Sequence, residues 1–314
     1  MYFKVFNNEE EYNAFKNGDN FIKPSVSVIN KNKMVVETVP KFLLYDVVYY
    51  DSNSRNIKVL PYRAWKSTIG TPIGLVVIPS DTLPDGRARI VSLYPVTSAG
   101  TAHTSTANIP AMYWSQVKEK VTSITSYTKL SGTNNLLEDK EINYGFLPSD
   151  VYDSGVTSYV DPKAKYAPNK TNFIYSPYYM NNYTINKKYY KSNFHNALQD
   201  FKGYENTNIL AGLGVDYIAA RAAWGYKDVS RKIQWYLPTV GELGFVFARI
   251  KKISQIITAL GGVSFENGIG RTLTSSQRDA NSFWCIDFNG GSVNGLEKNG
   301  GNAYLCRLYP FAKI

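Results

Sequence analysis

The stretch TVGELGFVFARIKKISQIITALGG, residues 239–262, decides the fold of this chain because it marks both ends of a helix. Thr239 is followed three positions later by Glu242, the spacing at which two side chains each satisfy a backbone amide of the first turn. Apolar residues then recur at alternating steps of three and four, which places them on one face: Leu243, Val246, Ile250, Ile253, Ile257 and Leu260. Gly261 and Gly262 are glycines of the kind that commonly end a helix. The pattern predicts one helix over 240–260 whose apolar face packs against another part of the chain.

The segments on either side of this helix predict an α+β domain over residues 191–314. Three extended segments follow it, joined by glycine turns: FWCIDF (283–288), GSVNGLEK (291–298) and AYLCRLYPF (303–311). We expect these segments to form an antiparallel meander with the long helix on one face. Two further helices are predicted upstream. One carries Phe194, Ala197, Leu198 and Phe201 and is closed by Gly203, and the other is DYIAARAAW (216–224).

The upstream part of the chain divides into three regions. Residues 1–40 predict a small attachment and oligomerisation module, with a short helix capped by Asn7 and a hairpin of SVSVIN and MVVETV. Residues 41–97 predict a small β-rich domain, a barrel or sandwich, from the strands LLYDVVYYD, IKVLPY, IGLVVIP and RARIVSLYPV. Residues 98–190 form a loop-rich connecting region with a short helix at WSQVKEKV (114–121). Its aromatic residues favour ordered loops over a linker.

Composition excludes several classes of protein. A hydrophobic content of 44% with 19% charged residues indicates a globular chain. The net charge of +10 is scattered and no reading motif accompanies it, so we expect no nucleic-acid binding but a solvated basic surface or one that docks on an acidic partner. The apolar run IGLVVI is too short to cross a bilayer, so no membrane insertion is expected. The N-terminus lacks the features of a secretory signal, which predicts a protein made in a cytoplasm.

Several motifs, in order along the chain, resemble the C-type-lectin-like domain of bacterial surface proteins and phage fibres. They are NALQDFKGYENTNIL, DYIAARAAWGY, WYLPTVGEL, TLTSSQRDANSFWCIDFNGG and YLCRLYPF, and the likeness runs from about 194 to 314. Upstream, IGTPIGLVVIPSDTLPDGRARIVSL, GFLPSD, DPKAKY and EEYNAFKNGDNFIKPSVSVI are similar to segments of virion proteins from crAss-like and other Bacteroidales phages.

This resemblance implies a lectin-like fold displayed on the virion of a tailed phage. A head fibre is favoured over a tail fibre, because the chain is short and has no coiled coil or β-helical repeat for a shaft. The expected partners are other virion proteins of the capsid or tail, a second or third copy of the chain in a dimer or trimer, and a glycan of the host surface or mucus. The alternatives are a bacterial surface adhesin of the same fold and, less favoured, an oxidase or hydrolase.

The residues predict no catalytic group, metal site or cofactor. The calcium-binding loop of calcium-dependent lectins is missing, and the strand that corresponds to their second motif is Trp284–Asp287. Formylglycine-generating oxidases on this fold need two close cysteines, whereas Cys285 and Cys306 stand 21 positions apart. We therefore expect both cysteines to be small buried residues. His103 and His195 lack metal-ligand spacing.

Any glycan contact is expected at SSQRDANS (275–282) and at the two glycine turns. Polar side chains there can bond sugar hydroxyls, and one tyrosine can stack on a sugar ring: Gln277, Arg278, Asn281, Asn294, Glu297 and Tyr304. Because the calcium motifs are missing, the predicted binding is independent of calcium.

Overall fold

The computed structural model describes residues 42–83, 85–128, 196–265, 270–288, 292–299 and 305–314, together with the backbone of five short strands outside these ranges. The strands within the ranges are β4 (Asp46–Asp51), β5 (Asn56–Pro61), β6 (Thr71–Ile78), β7 (Arg89–Ser92), β10 (Trp235–Tyr236), β11 (Arg271–Gln277), β12 (Ser282–Asp287), β13 (Ser292–Glu297) and β14 (Phe311–Lys313). The helices are α1 (Gly203–Gly212), α2 (Ile218–Gly225), α3 (Val240–Ala248) and α4 (Ile250–Ala259). The backbone-only strands are β1 (Phe3–Lys4), β2 (Val26–Ser27), β3 (Val36–Thr38), β8 (Asn182–Ile185) and β9 (Lys188–Lys191). The chain is α+β, as predicted.

The larger sheet joins two distant parts of the sequence. Its strands run in the order β10-β14-β7-β6-β4-β5, and every neighbouring pair is antiparallel. The four strands predicted within 41–97 are present, but they form an open sheet and not a barrel or sandwich of their own. All four residues of β7 are buried. Strand β14 pairs with β7, with Phe311 opposite Val91. The described strands of the predicted 41–97 and 191–314 regions therefore share one sheet.

The smaller sheet, in the order β11-β12-β13, differs from the predicted meander. Its first strand, β11, was not predicted as a strand, and its last residues fall in the expected ligand loop. The third predicted segment, 303–311, does not pair with β12, which has β11 on one side and β13 on the other; its described part makes one parallel bridge, Arg307 to Thr272, at the outer edge of β11. The described end of that segment runs instead to β14 and the larger sheet.

The predicted long helix has the expected ends but is broken in the middle. Thr239 and Glu242 form the predicted capping box, each side chain accepting the other residue's amide. At the other end Gly261 has φ +82°, and the Gly262 amide donates to the Ile257 carbonyl at 2.8 Å, a glycine-ended termination. Arg249, with φ −128° and ψ 24°, leaves the helical region and separates α3 from α4. The break explains why one predicted helix is observed as two.

The helices cover both faces of the larger sheet. Helix α3 contacts β6 of that sheet and β11 and β12 of the smaller one, so it packs on the smaller sheet as predicted. The core around α3 and α4 includes Trp284, Ile286 and Phe288, which alternate along one side of the strand. A second core contains the alanines of α2 together with Phe283 and Cys285 from the opposite side of β12. The smaller sheet therefore contributes one face to each core.

Helix α2 confirms the predicted DYIAARAAW helix, but the helix expected before it is absent from the described residues. Only a 3₁₀ turn, Ala197–Gln199, forms there, and Phe194 lies outside the described residues. Gly203 begins α1 instead of closing a helix. A Cβ at Gly203 would lie 2.3 Å from Glu242 Oε2, so glycine permits the close approach of α1 to the start of α3.

The short backbone-only strands form two separate antiparallel groups. β3 lies between β1 and β2, which contains the hairpin predicted from SVSVIN and MVVETV, and β8 pairs with β9. The helix expected after Asn7 lies outside the described residues. None of the helices that the structure describes has the length and apolar character needed to traverse a bilayer.

Candidate ligand-contact site

The turn between β11 and β12 is built around one aspartate. The Asp279 carboxylate accepts the amides of Asn281 at 2.9 Å and Ser282 at 2.8 Å, and the Arg278 amide donates to the Ser282 carbonyl. Partial burial acts to raise the pKa of Asp279, but the hydrogen bonds from Ser282 and Asn281 and the charge of Arg278 prevail and lower it. The carboxylate therefore stays ionised and fixes the shape of the turn.

The Arg278 side chain lies over one face of the smaller sheet, where Trp284 and Gly295 position it. Its guanidinium carbon is 5.4 Å from the centre of the Trp284 ring, a cation–π contact. A Cβ at Gly295 would come within 2.1 Å of an Arg278 terminal nitrogen, so the glycine leaves room for this side chain. About a third of Arg278 remains exposed at 32%.

Three of the predicted contact residues lie at the same end of this sheet. Arg278 and the exposed Asn281 belong to the β11–β12 turn, and Glu297 is opposite Ser282 at the adjacent end of β13. Glu297 is exposed and accepts a hydrogen bond from Lys118 at 2.8 Å. We call Arg278, Asn281 and Glu297 the turn patch. It offers amide, guanidinium and carboxylate groups to solvent.

Gln277 does not belong to this surface, which corrects the prediction from its position in SSQRDANS. Its side chain is fully buried, and its oxygen accepts the Val121 amide at 2.9 Å and Lys298 Nζ at 2.7 Å. Its nitrogen donates to the Val121 carbonyl at 3.1 Å and to Ser126 Oγ at 2.8 Å. The amide is fully engaged within the protein and cannot contact a ligand.

The other two predicted residues also lie apart from the turn patch. Asn294 is opposite Cys285, and paired residues project from the same face of a sheet, so Asn294 projects from the face opposite Trp284 and Arg278. It is half-buried. Tyr304 lies outside the described residues.

Sequence reasoning missed the segment that supports this end of the sheet. Residues 111–127 contain no helix, contrary to the prediction for 114–121, because backbone amides of the segment donate to other parts of the chain, as Ser115 does to the Lys298 carbonyl and Gln116 to the Asp216 carbonyl. Trp114 Nε1 donates to the Thr274 carbonyl at 2.8 Å, and Trp284 Nε1 donates to the Tyr127 carbonyl at 2.6 Å. The segment therefore wraps from one face of the smaller sheet to the other. In the sequence, the only local sign of this packing is the presence of Trp114 and Trp284.

Lys298 is the second residue that was missed. Its side chain is fully buried, donates to Gln277 Oε1 and to the Glu119 carbonyl, and lies 4.8 Å from the centre of the Trp114 ring. Burial lowers its pKa to about 8. Lysine is rarely found fully buried, and in the sequence this one looks like an ordinary glycine-turn residue.

The remaining groups with potential chemistry are the metal-binding side chains and the two cysteines, whose thiols are in contact although 21 positions separate them in the sequence. No group of three or more His, Cys, Asp or Glu side chains in the described ranges could hold a metal ion. Cys285 and Cys306 are both buried, as expected, and carry thiols. The hydrogen bond with Cys306, together with burial, raises the pKa of Cys285 well above its usual value. Cys285 is therefore protonated at neutral pH and a poor nucleophile.

The chain matches no protein-family model, no curated protein and no solved structure. The likeness to lectin-like domains therefore rests on the sequence motifs alone.

Proposed function

We propose that this protein is a non-enzymatic surface component of a tailed-phage virion, a head fibre in preference to a tail fibre, which contacts glycans of the host surface or mucus. The observation that carries the proposal is the ordered set of lectin-like motifs between 196 and 311. The turn patch supports it, because these exposed polar groups lie within that set and rest on a well-packed base.

The turn patch offers the kinds of groups that bind sugar hydroxyls. Arg278 donates hydrogen bonds, Glu297 accepts them, and the Asn281 amide does both. Arg278 is held by Trp284 and by the space at Gly295, so little side-chain freedom is lost when it binds. Trp284 itself is only 3% exposed and does not offer a stacking face. We therefore propose recognition by hydrogen bonds, without a calcium bridge.

The binding experiment uses full-length protein on a glycan array and on host cells. Arg278→Ala/Asn281→Ala/Glu297→Ala should lose at least about tenfold in affinity, the effect of roughly 1.4 kcal/mol. Asn294→Ala is the matched control, because it lies on the other face of the same sheet. Binding should persist in a calcium chelator. Equal binding by the triple variant and wild type would exclude the turn patch, and loss of wild-type binding in chelator would exclude the calcium-independent mode.

The place of the protein is tested separately. Purified phage particles should contain the chain by mass spectrometry, and labelled antibody should decorate the head. Detection in the envelope of uninfected bacteria, and not in particles, would favour the bacterial adhesin. Sedimentation of the purified protein tests the proposed dimer or trimer, and a monomer at high concentration would contradict it.

A further inference from the structure

Arg307 is a buried arginine whose guanidinium makes no hydrogen bond of standard geometry within the described part of the chain. Its backbone is tied to β11, since its amide donates to the Arg271 carbonyl at 2.9 Å and its carbonyl accepts the Leu273 amide at 2.8 Å. The side chain is 0% exposed. None of its three nitrogens, Nε, Nη1 and Nη2, makes a hydrogen bond in the structure.

Among the described residues, Tyr309 and Asp287 interact with Arg307 and act to raise its pKa, but neither accepts a hydrogen bond of standard geometry from the guanidinium. The Tyr309 hydroxyl donates to the carbonyls of Val263 at 3.1 Å and Ser264 at 2.9 Å. The Asp287 carboxylate interacts with Arg271, at 3.8 Å from its Nε.

A guanidinium in this position cannot relieve its burial by losing a proton. Burial lowers the pKa of Arg307, but arginine stays protonated in proteins. A buried charge without a partner is strongly unfavourable, and a guanidinium offers a planar fork of donors that matches two oxygens of one anion. An oxyanion is therefore the group that satisfies both the charge and the unused donors.

We propose that Arg307 is the base of an oxyanion-binding site at the end of the smaller sheet where β11 begins and β12 ends. The side chains of Arg271 and Asp287, 37% and 20% exposed, connect this region to solvent. The ligand is a phosphate, a sulfate or the carboxylate of an acidic sugar, held by two hydrogen bonds from the guanidinium. The site lies at the opposite end of the sheet from the turn patch and does not depend on the proposed function.

The test uses the full-length protein exchanged into a weakly coordinating buffer at neutral pH. Inorganic phosphate is titrated while the melting temperature is recorded, with sodium chloride at matched ionic strength as the salt control. A ligand that binds only the folded state raises the melting temperature with the logarithm of its concentration. Sulfate and glucuronate are the further arms, with glucose as the neutral control for glucuronate. A response to glucuronate but not to phosphate or sulfate would identify an acidic sugar as the ligand.

Arg307→Met should abolish the response, and Arg307→Lys should weaken anion affinity by about tenfold because a single ammonium cannot form the fork. Arg63→Met, which removes an exposed cation on the 3₁₀ turn Tyr62–Ala64, should respond as wild type. If Arg307→Met fails to fold, binding of phosphate to the wild type is read directly by phosphorus NMR line broadening. No line broadening and no anion-dependent rise in the wild type would overturn the proposal.

A further variant tests whether a carboxylate of the chain itself, rather than an external anion, pairs with Arg307. Glu266 lies outside the described residues, but it follows Phe265, whose ring stacks on Tyr309 at 3.9 Å. If Glu266→Gln destabilises the protein and the effect disappears in the Arg307→Met background, this carboxylate is the partner of Arg307 and the proposal is overturned. Additive effects of the two substitutions, with the anion response retained in Glu266→Gln, support the external ligand.

Discussion

Arg89 and Arg307 are both fully buried arginines, yet their surroundings are opposite. Arg89, on β7, donates to Glu242 at 3.0 Å and to Asp85 at 2.7 Å, whereas the Arg307 guanidinium makes no hydrogen bond of standard geometry to any residue that the structure describes. Burial acts to lower the pKa of both. Around Arg89, the interactions with Tyr236, Glu242 and Asp85 outweigh burial and raise the pKa. Around Arg307, the interactions with Tyr309 and Asp287 do not outweigh burial, and the pKa stays lowered. Arg89 therefore forms ion pairs within the protein, whereas the hydrogen-bond donors of Arg307 are left for an external ligand.

The largest expected effect comes from removing the partner of the satisfied arginine. Glu242→Leu leaves Arg89 without its fully buried counter-charge, removes the acceptor for the Tyr236 hydroxyl at 2.7 Å, and breaks the capping box with Thr239. We expect a loss of about 3–5 kcal/mol in the free energy of unfolding, measured by urea denaturation. An unchanged midpoint would show that Arg89 is not held by this pair.

The double variant Arg89→Met/Glu242→Leu is the control for that substitution. Burial raises the pKa of Glu242 more than its partners lower it, whereas the partners of Arg89 outweigh burial, so the unrecovered desolvation cost of the pair falls on the Glu242 carboxylate. Replacing both groups removes that cost, and much of the lost stability should return. A double variant as unstable as Glu242→Leu would assign the loss to the helix cap and the tyrosine instead.

Lys298 lies between the two arginines in character, because it is a buried cation whose hydrogen-bond partners are present but uncharged. Its titration should make the stability of the protein depend on pH. Its pKa is lowered from 10.5 to about 8, so between these values the unfolded chain binds more protons than the folded one. The free energy of unfolding should therefore rise with pH over that window, by up to about 3 kcal/mol at 1.36 kcal/mol per pKa unit. Lys298→Met should lack this rise, and the comparison is made by urea denaturation at a series of pH values. Identical slopes in both proteins would contradict the assignment.

A smaller effect distinguishes the two arginines directly. In buffer without oxyanions, Arg307→Met replaces an unpaired buried charge by an apolar side chain of similar length, so we expect the free energy of unfolding to stay level or rise by about 1 kcal/mol. Arg89→Met, which leaves the buried Glu242 carboxylate without its cation, should lower the free energy of unfolding under the same conditions. Destabilisation by Arg307→Met of the same size as by Arg89→Met would remove the contrast between them.

These contacts also show which parts of the fold the sequence could predict. The capping box was predicted because Thr239 and Glu242 are three positions apart, but the bond from Glu242 to Arg89 spans 153 positions and has no local pattern. Strand β11 was missed because TLTSSQ has a single apolar residue, Leu273, and otherwise resembles a polar loop. Its polar groups are buried and bonded across the fold, as Ser276 Oγ is to Asp200 at 2.7 Å.

The same limit applies to the candidate site. Gln277 was assigned to the ligand surface because a glutamine between Ser and Arg is typical of an exposed loop. Its burial depends on Val121 and Lys298, one far upstream and one on the next hairpin. By contrast, Arg278 and Asn281 were placed correctly in an exposed turn, since the short DAN sequence between polar residues has local turn chemistry.

The smallest expected effect concerns a cation at the surface, which tests whether burial causes the contrast between the arginines. Lys118 bonds Glu297 at 2.8 Å, shorter than the Arg89–Glu242 contact, but the two side chains are 40% and 49% exposed. Water screens such a pair and holding two long side chains costs entropy, so Lys118→Ala should change the free energy of unfolding by less than about 0.5 kcal/mol. The measurement is urea denaturation at low and high salt, with Lys120→Ala as the neighbouring exposed control. A loss of about 2 kcal/mol or more would approach the effect expected for a buried ion pair. It would mean that contact geometry, and not burial, decides how much an ion pair stabilises this fold.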